Sequence, residues 1–160
     1  MGRSILSIFA GYFLILIWVM TSHSIAWWIG GPELAYKAGT RIETLPWLTI
    51  SLVLWTIGGV LGGFASALIG KHPRNLPSWV LAVFVFFMSV YSGVMYLRQG
   101  APELPEGIEA GSLDAAQFGI KPEWYPFAMA VLLAAGVLAG SWFYGTDTEY
   151  ERRVRPPQEP

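Results

Sequence analysis

LPWLTISLVLWTIGGVLGGFASALIG, residues 45–70, is the stretch on which the fold turns. It contains no Asp, Glu, Lys or Arg, and at ~1.5 Å per residue a helix of this length exceeds the ~30 Å hydrocarbon core of a bilayer. One charge at its centre would cost at least ~2.5 kcal/mol, so an uninterrupted apolar run reads as a membrane span. A buried helix of a soluble protein keeps polar residues at helical spacing on one face, whereas this run is apolar all round. Its small residues are ordered. Thr49, Thr56, Gly59, Gly63, Ser66 and Gly70 recur at steps of seven, three, four, three and four, which places them in one stripe, and Gly58 and Gly62 widen it.

Three further apolar runs, at about 4–28, 78–97 and 124–144, lie around this one, again without a charged residue inside the apolar core of each. The chain is therefore expected to be all-α, an integral membrane four-helix bundle spanning residues 1–145 with a disordered tail over 146–160. Arg3, the first apolar run and Ser24-Ile25-Ala26 also fit a secretory signal, but a signal core is typically ~7–15 residues and this run leads on to a Trp pair suited to the interface, so a retained span is expected. In lipid the hydrophobic effect does not drive helices together, and close backbone approach through small residues takes its place. The second span, with Thr56, Gly59, Gly63, Ser66 and Gly70, is thus expected to be the central packing element, answered by Gly136-x-x-x-Gly140 in the fourth and Ser7-x-x-x-Gly11 in the first. The same stripe suits packing inside one chain, which is favoured, or an interface in a homo-oligomer or larger membrane complex.

Composition narrows the function. Of 160 residues 54% are apolar and 13% charged, roughly half the charge of a soluble domain. A formal net charge of -1 argues against nucleic acid as a partner and leaves membrane lipids as the constant one. The absence of cysteine excludes disulfides, thiolate metal sites and cysteine nucleophiles. The two histidines, His23 and His72, fall at opposite ends of the bundle, so no histidine metal pair or haem is expected, and no phosphate cradle or nucleophile elbow is present. No catalytic residue, cofactor or metal is assigned. The polar candidates are His23, alone among serines near the end of the first span, and Ser89, Ser92 and Tyr96 on one side of the third, which either pack or line a small cavity.

Arg3, Lys71, Arg74, Arg152, Arg153 and Arg155 flank one side of the spans in short segments, against Lys37, Arg41, Arg98 and Lys121 in longer loops on the other. That bias places both termini in the cytoplasm. Pro32-Glu33 and Gly39 suggest a helical turn in the first outer loop, and Ser112 to Phe118 another in the second. Trp27, Trp28, Trp47, Tyr96, Trp124 and Tyr125 are expected in the outer aromatic belt, with Trp79, Trp142 and Tyr144 in the inner one.

Taken together, Ser4-Ile5-Leu6-Ser7-Ile8-Phe9-Ala10-Gly11-Tyr12, Tyr36-Lys37-Ala38-Gly39-Thr40 and Gly58-Gly59-Val60-Leu61-Gly62-Gly63-Phe64-Ala65-Ser66-Ala67-Leu68-Ile69 resemble uncharacterised small four-span proteins of the bacterial inner membrane. The resemblance covers about the first half of the chain and implies four spans in that membrane. It implies no activity, cofactor or site. The expectation is a non-enzymatic membrane protein serving as an accessory, assembly or structural component. The alternative is a small oligomeric channel or carrier for a neutral or lipid-like solute.

Overall fold

The computed structural model describes residues 2–70, 76–100 and 119–154, with side chains from 3 to 144 within those ranges. Among these described residues there are four helices: α1 (Gly2–Ala35), α2 (Leu45–Gly70), α3 (Leu76–Gln99) and α4 (Tyr125–Val154). All four are long and apolar enough to cross a membrane. The turn expected at Ser112 to Phe118 lies outside the described residues.

Proline punctuates the fold. Pro46, Pro77 and Pro126 each stand second in their helix, where the missing N–H is one the helix cannot use and the fixed φ already suits it. Pro32 acts within α1: Gly31, held out of the helical region by the proline that follows, adopts φ 61° and ψ −173°, and one more turn runs from Pro32 to Ala35. At the end of α3, Gly100 takes φ 76° and its amide returns to the Tyr96 carbonyl at 2.8 Å, a glycine stop of the usual left-handed kind. The fourth helix departs from the expected tail. It continues ten residues beyond Tyr144, because no proline interrupts it before the Pro156-Pro157 pair and the intervening residues are tolerable helix formers.

The helices run alternately up and down. At one end Arg3 Nε donates to the Ile69 carbonyl at 2.8 Å, joining the start of α1 to the close of α2; this is the termini end. At the other, the loop end, Thr44 reaches back to the end of α1. Around the bundle the order is α1, α2, α4, α3, with α2 the most extensively packed. Its glycines face two ways. Gly59 and Gly63 meet Gly136 and Gly140 of α4: a Cβ at Gly59 would stand 2.5 Å from the Leu133 carbonyl oxygen and one at Gly136 2.6 Å from that of Thr56. Cβ atoms at Gly63 and Gly140 would collide with the backbone carbonyls of Val137 and Val60. Gly58 and Gly62, one residue back and so about 100° round the helix, face Ile15, Trp18 and Gly11 of α1. The stripe read from sequence is two stripes, one for each neighbour. Ile15, Leu81, Val85, Leu133 and Val137 fill the centre.

Candidate functional site

Polar groups gather at the loop end because three short segments are laced together there. The Glu43 amide donates to the Ile120 carbonyl at 3.1 Å, the Ile120 amide to the Arg41 carbonyl at 2.8 Å, and Tyr36 pairs with Glu43 from the other side. Thr44 then caps α2: its hydroxyl donates to the Leu34 carbonyl and accepts from the Trp47 amide at 3.3 Å. With backbone tied on both sides, Glu43 points inward and is only 3% exposed. Lys121 follows Ile120 and is clamped through its backbone, its amide donating to the Tyr96 phenol at 2.8 Å while that phenol lies 3.3 Å from the Lys121 carbonyl.

These residues enclose a cavity of about 300 Å³ to which every helix contributes. Glu43 and Lys121 form its charged corner, with Nζ 3.6 Å from Oε1. His23 comes from α1, Trp47, Ser51 and Trp55 from α2, Met88, Ser89 and Ser92 from α3, and Tyr125 and Met129 from α4. The His23 ring meets Trp47 and Trp55 edge-on at 5.9 and 6.3 Å. Its Nδ1 lies 2.9 Å from the Val19 carbonyl; a carbonyl only accepts, so Nδ1 carries the proton and Nε2 of the neutral ring is an acceptor. The phenol of Tyr125 meets the Ser51 hydroxyl. Beyond Ser89 and Ser92 a second cavity of about 340 Å³ continues past Tyr96, Gln99 and Pro126. The wall between chamber and exterior is thin at α3, where Met88 is 51% exposed.

Electrostatics at the corner is poised. Two unit charges this close attract by about 4 kcal/mol at an effective dielectric near 20, while withdrawing each from water costs several kcal/mol. At 3.6 Å the contact is a long ion pair, and among the described residues neither carboxylate oxygen of Glu43 has a hydrogen-bond partner within ordinary bonding distance. Burial pushes the Glu43 carboxyl up to about 7, against the pull of Lys121 in the other direction. At neutral pH the carboxyl is therefore divided between its two forms.

Several sequence expectations are corrected here. The spans carry no charge, as read, but Glu43 just outside them is buried, because its loop is folded into the end of the bundle. His23 is buried as well, at 4% exposure, under Trp47 and Trp55 rather than open to water. Trp47 leaves the expected aromatic belt for the core, packed with Ala35 and Trp27, while Trp28, Trp124, Trp79 and Trp142 remain exposed. Of the polar candidates, His23, Ser89 and Ser92 share the chamber, and Tyr96 lies beside it as the clamp on Lys121. The packing residues Thr56, Gly59, Gly63, Gly136 and Gly140 lie along the α2–α4 seam, Ser66 lies against Gly11, and Gly70 lies against Pro77 and Ser7. Sequence reasoning missed Glu43, Lys121, Ser51 and Tyr125. Their signal was positional: Glu43 directly precedes the capping Thr44, and Lys121 and Tyr125 bracket the start of the fourth run. Among the described residues no group of three or more His, Asp or Glu side chains is arranged to hold a metal. Compared with known proteins, the chain matches no family model, no curated protein and no solved structure.

Proposed function

We propose that this chain is a multi-pass protein of the bacterial inner membrane that binds a small solute in the loop-end chamber, as a binding protein, channel or carrier does. Both termini are assigned to the cytoplasm on the Lys and Arg bias, so the chamber lies toward the outer surface. The observation that carries the reading is a buried carboxylate with no hydrogen-bond partner among the described residues, facing a cavity lined from all four helices. A group of that kind is costly to keep unless something in the cavity satisfies it. A non-enzymatic accessory or assembly role is the alternative. It loses its main ground because the glycines of α2 that suggested an assembly surface are engaged by α1 and α4 of the same chain.

Accessibility labelling tests this, and the lack of native cysteine makes it clean. In intact cells a Ser92→Cys variant is expected to react with a membrane-impermeant thiol reagent, and Ser66→Cys, buried in the seam, to stay unreacted. A Gln158→Cys variant is expected to react only after the membrane is opened. An unreactive Ser92→Cys would remove the solute-binding reading, and a Gln158→Cys reactive in intact cells would reverse the orientation.

A further inference from the structure

The chamber narrows the kind of solute, an inference that rests on the reading just given. Its charged corner presents an acceptor and a donor side by side: the Glu43 carboxylate, whose oxygens have no hydrogen-bond partner among the described residues, and the Lys121 ammonium 3.6 Å away. When both are ionised their charges offset, so an added ion would enter a desolvated space with no counter-charge left for it. The walls are flat and polarisable, made by the rings of Trp47, Trp55 and Tyr125 and the thioethers of Met88 and Met129, surfaces that favour a planar guest. A volume of about 300 Å³ stands at the small end of ligand pockets, which run ~300–1,000 Å³.

We propose that the chamber binds a small, uncharged, planar molecule carrying a hydrogen-bond donor next to an acceptor, the edge of a carboxamide or cyclic imide. Its N–H donates to Glu43 and its carbonyl accepts from Lys121, with the ring or chain of the guest between the Trp and Met side chains. This satisfies the carboxylate and leaves the net charge of the chamber unchanged.

The test uses the full chain in lipid nanodiscs at pH 8, on the ionised side of the Glu43 carboxyl, and four probes of nearly one shape: benzamide, benzoate, benzylammonium and ethylbenzene, with binding to empty nanodiscs subtracted. Benzamide is expected to bind saturably and at least ~10-fold more tightly than the other three, the difference that one or two buried unpaired polar groups make. Glu43→Leu is expected to weaken it by a similar factor. Met129→Trp, which fills the chamber without touching the charged corner, is expected to abolish it, and Trp28→Phe, on the exposed surface, to leave it unchanged. The second variant keeps the test decisive if the first does not fold. Benzoate or benzylammonium binding as tightly as benzamide would overturn the proposed ligand class while the chamber stands as a solute site. Saturable binding of none of the probes in a protein whose Ser92→Cys is still labelled would also overturn the proposed ligand class, leaving a chamber shown only to be open to water. Absence of both binding and labelling would overturn this inference and the proposed function together.

Discussion

The two ends of the same bundle are built on opposite principles. Toward the termini the helices approach until glycine is the only residue that fits, and the buried Ser66 hydroxyl has no hydrogen-bond partner among the described residues. Toward the loops the same helices stand apart around large aromatic and thioether side chains and enclose charge. The seam gains stability from contact between backbones, and the chamber gives some of it up by burying a carboxylate whose affinity for protons is raised. That division is what a helical bundle needs if it is to hold a polar site, since one end must be rigid for the other to remain hollow.

The largest expected effect tests the rigid end. Gly63→Leu places a branched side chain where even a Cβ would collide with the Val137 carbonyl, and backbone cannot move aside as a side-chain tip can. Loss of the folded protein, a destabilisation of about 4 kcal/mol or more, is expected in thermal unfolding in mild detergent. Gly58→Ala is the contrast: the atoms nearest its Cβ would belong to side chains and not backbone, Trp18 at 3.0 Å, Val19 at 3.4 Å and Ile15 at 3.7 Å, of which only Trp18 would have to give by a few tenths of an ångström. Equal tolerance of both would mean that the seam is not close-packed.

The next effect belongs to the hollow end and depends on pH. The Glu43 carboxyl moves from 4.5 to about 7 on folding, so between those values the folded state holds more protons than the unfolded one and stability falls as pH rises. The stability is whole below about pH 4.5 and is lost through about pH 7, a decline of about 3 kcal/mol at 1.36 kcal/mol per unit. Glu43→Gln is expected to remove that slope, matching the native chain near pH 4.5 and exceeding it at pH 8. Parallel curves for the two proteins would show that Glu43 is not buried as described.

Sequence revealed the seam far better than the chamber, for a physical reason. Close packing between helices is written within each helix, as Gly59, Gly63, Gly136 and Gly140 at four-residue spacing, and periodicity finds it. What periodicity could not show is that Gly58 and Gly62 serve a different neighbour from Gly59 and Gly63, because that depends on the order of helices around the bundle. The chamber is written between segments. Glu43 and Lys121 lie 78 positions apart in the chain and meet only because the Glu43 amide pairs with the Ile120 carbonyl. Each looked like an ordinary loop charge, and only His23, Ser89 and Ser92, which sit on helices, were legible as members of the site.

A smaller effect probes how the chamber is held. Tyr96→Phe deletes the phenol that accepts from the Lys121 amide and so removes that hydrogen bond at the mouth of the second cavity. A loss of about 1–2 kcal/mol is expected, together with a further upward displacement of the Glu43 titration as Lys121 loosens. Unchanged stability with an unchanged Glu43 titration would make Tyr96 a bystander.

The smallest effect separates the two ends by sign. Ser66 is fully buried and its Oγ has no hydrogen-bond partner among the described residues, while its Cβ supplies the contact with Gly11. Ser66→Ala keeps the contact and removes an unsatisfied hydroxyl, so the variant is expected to be as stable as the native chain or more stable by up to about 1 kcal/mol. Ser51→Ala makes the same chemical change in the chamber, where the hydroxyl meets the Tyr125 phenol, and is expected to lose about 1 kcal/mol. Measured side by side, the two alanine variants should move in opposite directions. If Ser66→Ala were the more damaging, the dry character of the seam would be wrong and the contrast between the ends would have to be redrawn.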